Sequence, residues 1–264
     1  DGSRGCAIST VLSEALCSLF CLIYIQKKVS LLRLGKKWLV FDKSLLKKTI
    51  AFGWASAMQQ ATVQLGKIGI QAIVNTMGVS VSAAFAVVNR IDDFAYTPEQ
   101  NIAHAMTALM AQNKGAGKID RMKKSVRVCF CMDLATALTL SALMYLFLGK
   151  FLLSLFTTDA EVLSIGVRIM QIIVPAYAPF VFIEIFSGAL RGAGNVLIPM
   201  LLTCGGICVT RILWIFFFVP SHRAVETIIF SYPGSWVLTA TLFILYFAFY
   251  TRRHWGRGAT RDLK

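Results

Sequence analysis

The sequence predicts an all-α, polytopic membrane protein with about seven transmembrane helices. Three observations carry this. The 264 residues are 56% hydrophobic and only 15% charged, a balance that soluble domains rarely show. Apolar runs recur at lengths that cross a bilayer at about 1.5 Å per residue. The Lys and Arg residues behind the net charge of +14 gather in short segments between those runs. That is the positive-inside pattern, not a groove for phosphates, so nucleic acid is not an expected partner.

The spans fall near 5–25, 49–77, 82–111, 126–148, 162–190, 197–219 and 227–250. Basic residues crowd one set of their ends: Lys27 to Lys48 after the first, Lys114 to Arg127 after the third, Arg191 after the fifth, and Arg252 to Lys264 in the tail. The other set holds only Arg4, Lys150 and Arg223. The first set is therefore expected in the cytoplasm, with the C-terminus. Residue 1 is Asp, and the first apolar run carries no cleavage signature, so the chain reads as starting inside a longer polypeptide. The expected organisation is a last helix of a preceding bundle (1–26), a basic amphipathic cytoplasmic linker (27–48), a six-helix transport lobe (49–251) and a basic cytoplasmic tail (252–264).

The first span holds one charge, Glu14, and small residues (Gly5, Ala7, Ser9, Ser13) suited to close helix packing. Residues 30–46 interleave lysines with Leu31, Leu32, Leu34, Trp38 and Phe41, as a helix lying on the inner leaflet would; a plain solvated linker is the other reading. In the second span, Ser56, Gln60, Gln64, Lys67, Gln71 and Asn75 follow at helical spacing and make one polar stripe. Such a stripe is costly against lipid and is expected to line a wet substrate cavity, with a dry polar seam as the alternative.

The third span is the most polar. Asn89, Asp93, Tyr96, Gln100 and His104 share one helical face, and Arg90, Asp92 and Glu99 flank it. Pro98 removes a backbone donor and frees the carbonyl of Phe94. Ionisable groups and freed carbonyls at membrane depth mark a substrate or ion pathway. Asp92 and Asp93 are thus ion-coupling candidates. Asn89, Arg90, Tyr96 and Gln100 join Gln60, Gln64, Lys67 and Gln71 as cavity candidates, and Pro98 is a hinge candidate. Lys67 is an expected partner for Asp92 or Asp93.

The turn from Gln112 to Arg121 carries Gly115 and Gly117 but lacks the spacing of a phosphate loop. The fourth span has only Asp133 and reads as scaffold. The fifth holds Pro175 and Pro179 one turn apart, then Glu184: a bent helix bearing a carboxylate, hence a gate and ion-coupling candidate. Either Glu184 alternates its proton during a transport cycle or it is a static acid, neutral or paired with a base such as Arg211. Six of the seven cysteines lie in apolar runs as small hydrophobes, and no His spacing completes a zinc site, so no metal or disulfide is expected. Neither His-Glu-x-x-His nor Gly-x-Ser-x-Gly occurs, and an enzyme is not expected.

Several motifs together resemble the multidrug and toxin extrusion (MATE) family: Gly53 to Gln60; Gly78 to Asp93 with its Asn-Arg-Ile-Asp; Gln112-Asn113-x-Gly115-Ala116-Gly117-Lys118 with Arg121; and Leu190-Arg191-Gly192-Ala193-Gly194-Asn195 followed by Pro199-Met200. The resemblance implies two six-helix lobes, of which this chain is the sixth helix, the linker and the whole second lobe. It implies a secondary antiporter of the cell (inner) membrane that exports cationic or amphipathic compounds by alternating access, in exchange for H+ or Na+ and with no other cofactor. Its partners are then the small-molecule substrate, the bilayer and the N-terminal lobe of the same polypeptide. Two departures stand out. Trp54-Ala55 replaces a Pro often found there, and Gln60, Gln64 and Lys67 occupy a stretch where some members carry an acid. Glu184 lies in the corresponding tenth helix, where acids occur. A lipid-linked saccharide flippase of the same superfamily is the alternative; its cavity should be rich in Arg.

Overall fold

The computed structural model describes residues 2–29, 41–221 and 224–255. The chain divides into two units, Asp1–Ile50 and Ala51–Lys264. Most of the expected linker helix, residues 30–40, and most of the tail, 256–264, lie outside the described residues.

All seven expected spans are helical, and no strand occurs among the described residues. The first is α1 (Gly2–Lys28), which ends on Lys27 and Lys28, where cations complement the exposed carbonyls. Next, α2 (Lys43–Val74) starts behind Asp42, whose carboxylate accepts the Ser44 N–H at 2.7 Å. The long α3 (Val79–Gly115) runs unbroken through Pro98. A rod of α4 (Ile119–Leu143), a π-helical turn (Met144–Leu148) and α5 (Gly149–Ser154) follows. Asp159 caps α6 (Ala160–Ile173) by accepting the Glu161 N–H at 2.8 Å. A 3-10 turn, Val174–Ala176, then leads into α7 (Tyr177–Gly192). Pro175 sits at the start of that turn and Pro179 in the first turn of α7, where a missing N–H costs no helical bond. The last two rods are α8 (Leu197–Thr203), a π-helical turn and α9 (Thr210–Phe218), then α10 (Val225–Ile229) with α11 (Ser231–His254).

Among the described residues, five helices are long and apolar enough to cross a membrane: Ala7–Lys28, Ile119–Ser154, Ala160–Gly192, Leu197–Phe218 and Val225–His254. This is fewer than the seven expected. The rods α2 and α3 have the length, but their polar stripes lower the apolar content.

In the second unit, α3 is the central helix. Its buried Phe85, Val88, Ala103, Met106 and Met110 pack toward α4, α6 and α7. Lipid tails are as apolar as Leu, so membrane helices associate through close van der Waals fit and interhelical hydrogen bonds. The Gly188-x-x-x-Gly192 pair supplies the first. A Cβ added at Gly188 would lie 2.7 Å from the Ala103 carbonyl, and one at Gly192 would meet the Thr107 carbonyl and Met110. Thr107 supplies the second, donating to the Gly188 carbonyl at 3.1 Å. Gly117 (φ 68°) and Gly194 (φ 88°) adopt the left-handed turns that stop α3 and α7.

Candidate functional site

The inward face of α3 is read at spacings of three and four: Phe85, Val88, Asp92, Ala95, Glu99, Ala103, Met106 and Met110 are all buried. Two carboxylic acids therefore enter the bundle interior from one helix face, two turns apart. Each lies in a different setting.

Asp92 accepts a short hydrogen bond from the Tyr177 hydroxyl on α7. Tyr177 packs edge-on against Tyr96 with ring centroids 4.9 Å apart, and Tyr96 also meets Phe180 at 5.1 Å and Trp236 at 6.0 Å. Arg211 of α9 completes this cluster. Its guanidinium carbon lies 3.9 Å above the Tyr232 ring, and Nε donates to the Ser235 hydroxyl at 3.1 Å. A buried cation over an aromatic face with a hydroxyl acceptor is stabilised without a carboxylate. Arg211 is thus engaged within α9 and α11 and, contrary to one expectation, is not the partner of Glu184.

The second cluster lies two turns further along α3. Glu99 (α3) and Asp133 (α4) are fully buried, and all four carboxyl oxygens lack a hydrogen-bond partner among the described residues. The charges of Asp133 and Glu184 bear on Glu99, and that of Glu184 bears on Asp133. Glu184 (α7) is half-buried, and the Arg191 guanidinium lies close enough to bear on its charge. The Ser187 hydroxyl, one turn beyond Glu184, is likewise buried and unpartnered. Buried polar groups are normally satisfied, so five unpartnered oxygens in one bundle are an exception that needs a reason. Carboxyls whose charges bear on one another can bind and pass protons or attract a cation. Among the described residues, no three His, Cys, Asp or Glu side chains are arranged to hold a metal ion.

The remaining expected site residues scatter. Lys67 pairs with Asp93, not Asp92, at 3.6 Å, with both side chains partly exposed. Gln60, Gln64, Arg90, Pro98 and Gln100 are exposed; Gln71 and Asn89 are half-buried. Gln71 donates to Asn75 at 2.7 Å. On α2 the residue that turns inward is Gln59, which donates to Thr203 at 3.0 Å. Asp133, expected to be scaffold, and Glu99, named but not selected, are the acids that reading the sequence missed. For Glu99 the signal was present: it continues the apolar spacing of Phe85, Val88, Ala103 and Met106. Asp133, alone on its helix, gave none.

Comparison with known proteins adds to this geometry. The MatE family model matches residues 55–217. The chain is 29% identical over 254 residues to a probable multidrug resistance protein, YoeA, of Bacillus subtilis (strain 168), covering 94% of this chain and 54% of that protein. It is 25% identical over 216 residues to a probable multidrug resistance protein, NorM, of Thermotoga maritima, covering 80% of this chain and 45% of that one. An outward-facing multidrug resistance MATE family transporter of the MOP superfamily superposes with a TM-score of 0.84 at 17% identity, over 94% of this chain and 56% of that chain. The chain thus spans about half the length of the relatives it matches. A family match across most of the helical rods, together with the shared fold, shows that the chain belongs to the MatE family.

Proposed function

We propose that this chain forms the second six-helix lobe, with the last helix of the first lobe, of a secondary active exporter in the cell (inner) membrane. The exporter moves cationic or amphipathic compounds outward in exchange for protons or sodium ions entering. Glu184, with Glu99 and Asp133, carries the coupling ion. Asp92 and Asp93 are the alternative coupling acids, and the exposed stripe of Gln60, Gln64 and Gln100 faces the substrate path with Lys67, Gln71, Asn89, Arg90 and Tyr96. The observation that carries the reading is the set of unpartnered carboxyl oxygens on Glu99 and Asp133 beside Glu184. Family membership and multidrug resistance relatives support export as the activity. The basic ends of the helices support a cytoplasmic C-terminus. A flippase for a lipid-linked saccharide would need buried cations free for a pyrophosphate. The buried Arg211 is engaged by Ser235 and Tyr232, which favours the exporter.

The test is ethidium efflux from an efflux-deficient host expressing the full-length polypeptide that carries this chain. Efflux should collapse with a protonophore or on removal of sodium, whichever ion is coupled. Efflux indifferent to both would overturn the antiport. Expressed alone, the chain should leave ethidium accumulation unchanged, because access alternates across two lobes. Robust efflux by this chain alone would overturn the two-lobe reading.

A further inference from the structure

At the end of the second unit where α4 begins and α7 and α11 finish, these three helices leave an open groove of about 550 Å³. Its walls are layered. Lys123 and Arg127, in the first turns of α4, and Arg252, in the last turn of α11, form the rim. About one helical turn deeper, roughly 5 Å along each axis, lie Phe130, Phe186 and Phe247, all half-buried. The floor is continuous: Phe186 stacks on Phe247 at 4.5 Å and 10°, and Trp255 closes it edge-on to Phe247 at 5.6 Å. Among the described residues, no carboxylate lines the groove and none of the three rim cations is in a salt bridge.

We propose that this groove binds an anionic phospholipid, its phosphate on the Lys123, Arg127 and Arg252 rim and an acyl chain along the aromatic floor. Three cations with no carboxylate among the lining residues leave a local positive charge that an anionic headgroup neutralises; a choline headgroup would add a cation of its own. The apolar floor selects a lipid over a free phosphate. The rods bearing α4, α7 and α11 are all apolar enough to cross a membrane, so a groove among the basic ends of their helices opens at headgroup level. Basic pockets between transmembrane helices recognise anionic lipids in this way. Phe186 lies two residues beyond Glu184 on α7, so an occupied groove would brace the helix that carries that acid. The inference needs only the membrane-spanning fold and is independent of the transport reading.

The test uses purified full-length protein in detergent, with phosphatidylglycerol and phosphatidylcholine of identical chains compared by native mass spectrometry. The variants are Lys123→Gln/Arg127→Gln/Arg252→Gln and, as a charge-matched control on the exposed start of α2, Lys43→Gln/Lys47→Gln/Lys48→Gln. Each basic residue near the surface is worth about fivefold toward an anionic lipid, so the groove variant should lose its preference for phosphatidylglycerol by about tenfold or more. The control should keep it. Phosphatidylglycerol with brominated chains should quench the fluorescence that Trp255→Phe removes, which reports a chain on the floor. Glycerol 3-phosphate should not displace the lipid. An unchanged preference in the groove variant, no quenching attributable to Trp255, or displacement by glycerol 3-phosphate at lipid-like concentrations would each overturn the proposal.

Discussion

Asp92 and Glu99 stand two turns apart on one face of one helix, both buried, yet their surroundings are opposite. Asp92 has a donor in Tyr177, and the nearby Arg211 has Ser235 and the Tyr232 ring. Glu99 has no donor among the described residues, and its neighbours Asp133 and Glu184 bear on it with the same sign of charge. Burial alone therefore does not mark a working site. The first cluster is a satisfied polar network, of the kind that fixes one arrangement of helices. The second leaves polar atoms unpaired at a cost of roughly 1–3 kcal/mol each. On the proposed function, a transient coupling ion would relieve that cost.

The sharpest way to break this comparison is Glu184→Gln. The change removes a proton-exchanging group while keeping shape and hydrogen-bonding capacity. Ion-driven efflux should fall to background while substrate binding, membrane expression and melting temperature stay near wild type. A static structural acid gives a different pattern, in which efflux loss follows the melting temperature. Wild-type efflux from well-expressed Glu184→Gln protein, with an unaltered pH profile, would rule the site out and turn attention to Asp92 and Asp93.

Two substitutions should move stability in opposite directions. Tyr177→Phe strands the Asp92 carboxyl in the interior and should destabilise the protein by about 1–3 kcal/mol, read as a lower midpoint in detergent unfolding. Asp92→Asn should cost less, because an amide oxygen still accepts from Tyr177. Glu99→Met replaces an unpartnered carboxyl with an apolar chain of similar length and should stabilise the protein by about 1 kcal/mol, read as a higher midpoint. It should also impair coupled efflux. If Glu99→Met destabilises as much as Tyr177→Phe, the two clusters are alike and the distinction fails.

The helical rods were legible because membrane spans announce themselves by length and apolar content, and the proline and glycine punctuation placed the α6–α7 break and the turns at Gly117 and Gly194. The candidate site was half legible. Glu184 and the polarity of α3 could be read directly. The face of α3 was read through Asn89, Asp93, Tyr96 and Gln100, whereas the buried seam passes through Asp92 and Glu99, one position away and so about 100° around the helix. The same offset separates Gln60 from the inward Gln59 on α2. Polar spacing alone follows a helix's wettest face. The apolar spacing of Phe85, Val88, Ala103 and Met106 would have pointed to the buried acids. Asp133 needed tertiary packing, since nothing local on α4 says what it faces.

The smallest expected effect concerns Lys67 and Asp93, where the two polar stripes touch. Their 3.6 Å ion pair is partly exposed on both sides, so the Coulomb gain is offset by solvent and by ordering two flexible side chains. A double-mutant cycle of Lys67→Gln and Asp93→Asn should return a coupling energy of about 0.5 kcal/mol or less, falling further as salt is raised. Cysteines placed at Gln64 and Gln71, flanking Lys67 on the same face, should react with a hydrophilic thiol reagent in a cysteine-free background. A coupling of about 2 kcal/mol or more, insensitive to salt, would mean that the pair is shielded from water in the whole transporter. Asp93 would then join Glu99 among the acids whose burial demands an explanation, and the wet cavity along α2 would have to be given up.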